Sequence, residues 1–252
     1  MSFDEPASSG GAASIAFVAA LGIECHSLRG QRAAAWNVVQ SGPGGARAAA
    51  AAARAVDAGA SVLISWGLAG GLDARLGAGT LVVPRRLVEQ GAPPLPVDAS
   101  WHARFAALAD EFVLDQGDLL TVPAALESPA AKRAAAAATG AAAVDMESAA
   151  IAAVAARAGV PFVALRVVVD SVQDSLPAHA EQWIDERGER RLAAVLRAVG
   201  TPRDWRALLT LANRYRAASA VLERLARALA SRQLAGDGFI FRVDAENKSV
   251  PF

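Results

Sequence analysis

Acids placed at the ends of apolar runs carry the chemical signal in this sequence. Val144-Asp145-Met146-Glu147-Ser148 sets two carboxylates on either side of a methionine, where a short β-rich run hands over to an alanine-rich helix. Asp145 suits the N-cap there and Glu147 the first turn, both favoured by the positive end of the helix dipole. Capping accounts for Asp145 by itself. Glu147 turned into a cleft has a second use, because one carboxylate accepts hydrogen bonds from two vicinal hydroxyls such as those of a ribose. Asp170 directly follows Arg166-Val167-Val168-Val169. Open α/β sheets bind ligands at the carboxyl ends of their strands. An acid at the mouth of an apolar strand is partly desolvated and keeps its proton closer to neutral pH. An Asp that merely opens a turn into Ser171-Val172-Gln173 fits the residues equally well. Glu24, in Leu21-Gly22-Ile23-Glu24-Cys25, reads alone as an ordinary loop glutamate.

Two glycine-rich stretches follow apolar runs, so their backbone N–H groups could approach an anion or a sugar closely. One is Ser41-Gly42-Pro43-Gly44-Gly45-Ala46-Arg47 and the other Gly67-Leu68-Ala69-Gly70-Gly71. The first partly matches a dinucleotide fingerprint. However, Arg47 fills the third small position, and the next strand ends at Ser65-Trp66 without an acid, so a nicotinamide cofactor is disfavoured. A Walker A loop is absent, which removes nucleoside triphosphate hydrolysis.

The elements that must position these residues follow from periodicity. Strands are expected over 14–21, 35–40, 61–66, 80–83, 117–122, 141–145 and 162–169, alternating with alanine-rich helices. That pattern implies an α/β, single-domain, three-layer fold with a central mixed, largely parallel twisted sheet flanked by helices. Helices are expected from 45 to about 58, over 101–112, from Ser128, over 146–158, 179–199 and 203–234. The proline-rich stretch 91–97 reads as a surface loop. One domain is expected over 1–234, with 235–252 a poorly ordered tail. The last helix sets Tyr215, Ser219, Leu222, Ala226 and Leu229 on one face and Arg203, Arg206, Arg214, Arg216, Arg224, Arg227 and Arg232 on the other. It reads as a core-docked helix with a solvated basic face, or as one that makes peripheral membrane contact.

Composition narrows the function classes. Of 252 residues, 25 are Lys or Arg and 25 Asp or Glu, a balance that argues against a nucleic-acid partner. One cysteine, Cys25, allows no intrachain disulfide, and the scattered His26, His102 and His179 suggest no metal site. The N-terminus lacks a basic segment and no apolar run reaches membrane-spanning length, so the compartment expected is the cytoplasm.

Taken in order, Ser41-Gly42-Pro43-Gly44, Gly67-Leu68-Ala69-Gly70-Gly71-Leu72, Gly79-Thr80-Leu81-Val82-Val83-Pro84, Asp145-Met146-Glu147 and Arg166-Val167-Val168-Val169-Asp170 resemble the purine nucleoside phosphorylase and nucleosidase superfamily. Within it the chain is most similar to the hopanoid-associated phosphorylases, thought to remove adenine from adenosylhopane. The resemblance implies cleavage of a purine N-glycosidic bond. Asp170 would protonate the leaving base at N7, Met146 would lie against the sugar, and Glu147 would grip its 2′ and 3′ hydroxyls. Gly67, Leu68, Ala69 and Gly70 would floor the site. Leu68, Leu119 and Leu120, with the amphipathic last helix, would suit a bulky apolar 5′ substituent, although each also fits ordinary core packing.

Glu24 matches the glutamate that activates water in the nucleosidase branch. The hopanoid subset favours inorganic phosphate as co-substrate instead, with Gly42, Gly44 and Arg47 the candidates to hold it. Leu68 and Val169 stand where serines are common in the family. The acceptor stays open between water and phosphate. A homo-oligomer is implied, and no cofactor. A nucleoside-binding protein of this fold without turnover, or more distantly an NAD-dependent oxidoreductase, are the alternatives.

Overall fold

The computed structural model describes residues 14–31, 36–176 and 202–234, and within the last segment the side chains of 209–232. The expected helix over 179–199, the N-terminal segment 1–13 and the tail 235–252 lie outside the described residues. At the centre run β1 (Ile15–Ala19), β3 (Val62–Gly71) and β10 (Phe162–Asp170), almost wholly buried apolar strands. Burial on both faces is what a parallel strand needs when helices cover each side. β1 and β10 both pair parallel to β3. β2 (Asn37–Gln40) extends the sheet beyond β1, again parallel. Outside β10 come β4 (Leu81–Val82), antiparallel, and β7 (Leu114–Asp115). β9 (Ala143–Asp145) pairs antiparallel with the far end of β3. It is followed outward by β8 (Leu119–Thr121), β5 (Arg86–Val88) and the edge strand β6 (Leu95–Pro96).

Alternate residues of the central strands feed two cores. Phe17, Ile64 and Val167 pack with α1 (Gly22–Arg29), α3 (Ala99–Ala106) and α6 (Pro202–Leu234), through Leu28, Trp101, Leu222 and Leu229. Val18, Leu63 and Val168 face the other side, against α2 (Gly45–Asp57) and α5 (Ser148–Ala158). Along α2, Ala48, Ala51, Ala52 and Ala55 are buried. This three- and four-residue spacing makes a single face of methyl groups. α4 (Pro129–Thr139) is bounded by local chemistry: Ser128 accepts the Ala131 N–H at 3.1 Å, proline follows the cap, and Gly140 ends the helix with φ of 70°. The architecture is the three-layer α/β fold that the sequence implies.

One feature of register places the site. On one edge of β3, β1 covers Val62 to Ser65 and β9 covers Gly70 and Gly71. Residues 66–69 between them have no strand partner on that edge. Because β1 runs with β3 and β9 against it, their carboxyl ends point toward each other across the gap. Glu24 follows the first end and Asp145-Met146-Glu147 the second.

Several expectations need correction. Residues 67–71 are strand rather than loop, because β10 pairs with Gly67 to Gly70 through Asp170 and β9 pairs with Gly70 and Gly71. Glu24 lies in α1, a helix too short to show a period in sequence. The stretch 91–97 contains β6, whose proline is tolerated on an outer strand. α5 begins at Ser148 instead of 146, with Glu147 at the N-cap. The helix expected over 101–112 is α3, continued by a 3-10 turn to Asp110, and the strand expected over 117–122 is the shorter β8. In α6, Ala218, Leu222, Leu225, Ala226 and Leu229 are buried. Among its arginines, Arg214 pairs with Asp174 at 2.7 Å, Arg232 pairs with Glu111, and Arg224 stacks over Phe112. No helix among the described residues is long and apolar enough to cross a membrane.

Candidate active site

The gap beside β3 opens into a cavity of about 420 Å³, within the ~300–1,000 Å³ common for small-molecule sites. Glu24 stands at its floor. α1 starts directly after β1, so the carboxylate folds back over the strand end: Oε2 accepts the N–H of Ala20 at 3.0 Å and of Leu21 at 2.8 Å. Oε1 accepts the N–H of Leu68 at 2.8 Å, on the stretch that β1 and β9 leave uncovered. Gly67 makes this approach feasible. A Cβ there would sit 2.6 Å from Glu24 Cδ and 2.5 Å from Arg166 Nη1. Burial pushes the Glu24 carboxyl above its ordinary value, against the pull of Arg166 and the three backbone donors.

Arg166, on β10, is 1% exposed. Its Nη2 lies 2.7 Å from Asp145 Oδ2 and 3.7 Å from Glu147 Oε2, and donates to Ser65 Oγ at 2.7 Å and Ser148 Oγ at 3.1 Å. A charge this deep is tolerable only with such pairing. Asp145 is fully used by the protein. It accepts from Thr121 Oγ1 at 2.7 Å and, two residues ahead of the cap, from the Ser148 N–H at 3.0 Å. Glu147 does not cap α5 with its side chain; Oε1 accepts the Gly44 N–H at 3.0 Å. Gly44 has φ of 97°, a left-handed backbone suited to glycine, and this turns its N–H toward Glu147. Burial, opposed by Arg166 and reinforced by Asp145, pushes the Glu147 carboxyl up to about 7. Near neutral pH it is therefore poised between accepting and donating.

Asp170, the last residue of β10, is 3% exposed. Its Oδ2 pairs with Lys132 Nζ from α4. Burial pushes this carboxyl above its ordinary value, and the lysine opposes that shift. The acid lies over Gly70, where an added Cβ would stand 3.6 Å from Oδ1.

Glu24, Leu68, Ala69, Gly70, Gly44, Arg47, Asp145, Met146, Glu147 and Asp170 thus share one cavity wall. Gly42, Gly67 and Leu120 do not reach it. Gly67 acts from behind the wall, and Leu120 packs with Leu72, Ala141 and Val144 in a small cluster under α4. Arg47 is exposed and donates to its own loop, at Pro43 O, 3.3 Å away. Sequence reasoning missed Arg166 and Lys132. The first had a signal, since a lone arginine inside an apolar strand must have buried acids to meet. Lys132 had none, because lysine in an alanine-rich helix is the commonest of surface residues.

The family model described as Phosphorylase superfamily matches residues 33–200. No curated protein matches the chain. Among solved structures, the 5′-methylthioadenosine/S-adenosylhomocysteine nucleosidase of Neisseria meningitidis is similar at 19% identity and a TM-score of 0.65, over 86% of this chain and 99% of that one. The S-adenosylhomocysteine nucleosidase of Streptococcus pyogenes is similar at 23% and 0.61, over 81% and 97%. Futalosine hydrolase of Helicobacter pylori is similar at 20% and 0.60, over 64% and 86%. At these identities the likeness is one of fold.

Proposed function

The chain belongs to the Phosphorylase superfamily, and from that premise we propose that it hydrolyses the N-glycosidic bond of an adenine nucleoside. The observation that carries the reading is the meeting of Glu24, Glu147 and Asp170 on the wall of one cavity, although they come from three separate elements. In the proposed reaction the C1′–N9 bond breaks and its electron pair leaves with the purine. Asp170 donates a proton to N7, so that the base departs neutral. Glu147 accepts hydrogen bonds from the 2′ and 3′ hydroxyls, and its charge with that of Glu24 steadies the cationic sugar. Glu24 takes a proton from the water that attacks C1′. General acid help of this kind is worth ~10²–10⁴-fold in rate.

Electrostatics favour water over phosphate. A phosphate dianion beside Glu24 and Glu147 would be repelled. Arg166 already faces Asp145, Glu147 and the two serines, and Lys132 faces Asp170. Arg47, at the rim, is exposed and donates to Pro43 O. Support for adenine comes from the similar folds, two of which act on adenine nucleosides by name. Leu126, Leu176 and Leu211 give the cavity an apolar side. That side suits a bulky apolar 5′ group, of which adenosylhopane is an instance.

The test is release of free adenine from a panel of 5′-modified adenosines, with and without phosphate. Release undiminished without phosphate, and reduced at least a hundredfold in Asp170→Asn, is expected. Phosphate-dependent release would make the protein a phosphorylase. Tight adenine binding with no cleavage of any panel member would make it a binding protein.

A further inference from the structure

Lys132 is the one buried side chain of α4, in a helix otherwise built mostly of alanine, and it is 1% exposed. A buried lysine in such a helix contributes nothing to an apolar core, so its position needs another account. Its Nζ donates to Asp170 Oδ2, to Ser171 O at 2.9 Å and to Asp174 O at 3.1 Å. Three donors meet three acceptors, which leaves no N–H for a substrate even though the residue lines the cavity. The carboxyl it touches also lies beside β3, where a Cβ on Gly70 would stand in ordinary contact with it, 3.6 Å from Oδ1.

We propose that Lys132 is a positioning residue for the departing base: it ties down Oδ2 of Asp170 so that Oδ1 is the oxygen presented to N7. The inference rests on the proposed glycosidic cleavage and deepens it. It also ties acidity to position. The charged groups that face Asp170 are Lys132 from α4, Asp174 from the turn after β10, and Arg214 from α6, which itself pairs with Asp174. A cation beside a carboxyl favours its ionised form, so removing Lys132 raises the pH at which Asp170 loses its proton. Protonated Asp170 is the active form, so activity is lost as pH rises through that value.

Lys132→Met and Lys132→Gln, the second keeping a hydrogen-bond donor without the charge, are assayed from pH 5 to 10. The substrates are an adenosine that the wild type cleaves and its N7-methylated form, which leaves without needing a proton. Expected in both variants is an alkaline limb moved up by about one pH unit or more with the adenosine substrate. The ratio of N7-methylated to unmethylated turnover in Lys132→Met should rise at least tenfold, with a smaller rise in Lys132→Gln. If both substrates slow alike in both variants and the limb stays where it is, Lys132 serves only the fold and the inference is overturned. A wild type that cleaves neither substrate overturns the proposed function, and this inference with it.

Discussion

Arg166 places its guanidinium within 2.7 Å of Asp145 and 3.7 Å of Glu147, with Nη1 close behind Glu24 at Gly67. Three carboxylates around one cation leave the cluster short of positive charge, a deficit suited to an electron-poor sugar. The same arrangement makes the arginine indispensable to the fold, since removing one partner of a buried pair costs ~3–5 kcal/mol. Arg166→Ala is therefore expected to lose that much stability at pH 8 in denaturant unfolding. The loss should shrink toward pH 5.5, where Glu147, raised by burial to about 7, takes up a proton and no longer needs the cation; Glu24, raised by burial in the same direction, adds to that trend. An equal loss at both pH values would show that the acids stay ionised without it. Much of this site was legible residue by residue: Glu147 and Asp170 stand out in the sequence as acids next to apolar runs, Glu24 enters only through the family resemblance, and the structure places all three on one cavity wall. What sequence could not convey is pairing. Asp145 reads as a helix cap; it lies two residues ahead of one, and its Oδ2 is shared between the Ser148 N–H and an arginine twenty-one positions further along the chain.

At the scale of elements, the cavity exists because β1 and β9 stop short of each other along β3, and Glu24 fills part of the gap by taking the Leu68 N–H. This closure demands the absence of a side chain at Gly67. Gly67→Ala forces a methyl against the Glu24 carboxyl and the Arg166 guanidinium. Overpacking of that kind costs ~1–3 kcal/mol, and adenine release should fall at least tenfold because both groups are displaced. Gly77→Ala is the control: nothing lies within 4 Å of a Cβ there, and a surface change of this sort stays within about ±0.5 kcal/mol. Thermal melts and turnover of the two variants check the contrast. The long buried strands were legible because their β-branched runs leave little choice, and the alanine helices because of their spacing. β6, β7 and α1 were not, since two residues or a single short helix carry no period. Residues 67–71 were misleading for a physical reason. Their glycines look like a turn, but they stand where a strand is crowded: by the Glu24 and Arg166 side chains at Gly67, by Val144 at Gly70, and by the backbone oxygens of Asp170 and Leu76 at Gly71.

Across the whole molecule, Glu24, Glu147 and Asp170 all hold their protons more tightly folded than unfolded, with burial the leading cause in each case. A group whose folded value is raised contributes stability that is complete below its unfolded value and is lost as pH rises through the folded one. For Glu147 that window runs from the ordinary 4.5 to about 7. Asp73, drawn below its ordinary value by its hydrogen bonds with Arg75, acts in the opposite sense. It lies near the surface, where such pairs contribute little. For these three groups the expectation is a melting temperature that declines between pH 5 and pH 7.5, opposed over part of that range by His102, whose imidazole burial holds below its ordinary value. Glu147→Gln, which keeps the shape and an acceptor without the titration, should flatten the part of that decline assigned to the 4.5–7 window. It should also abolish the acid limb of turnover near pH 7, where the ionised carboxylate is needed to hold the sugar hydroxyls. Both measurements address one group, so a flattened melt with an unmoved acid limb would place Glu147 in the fold's electrostatics but outside the sugar's grip.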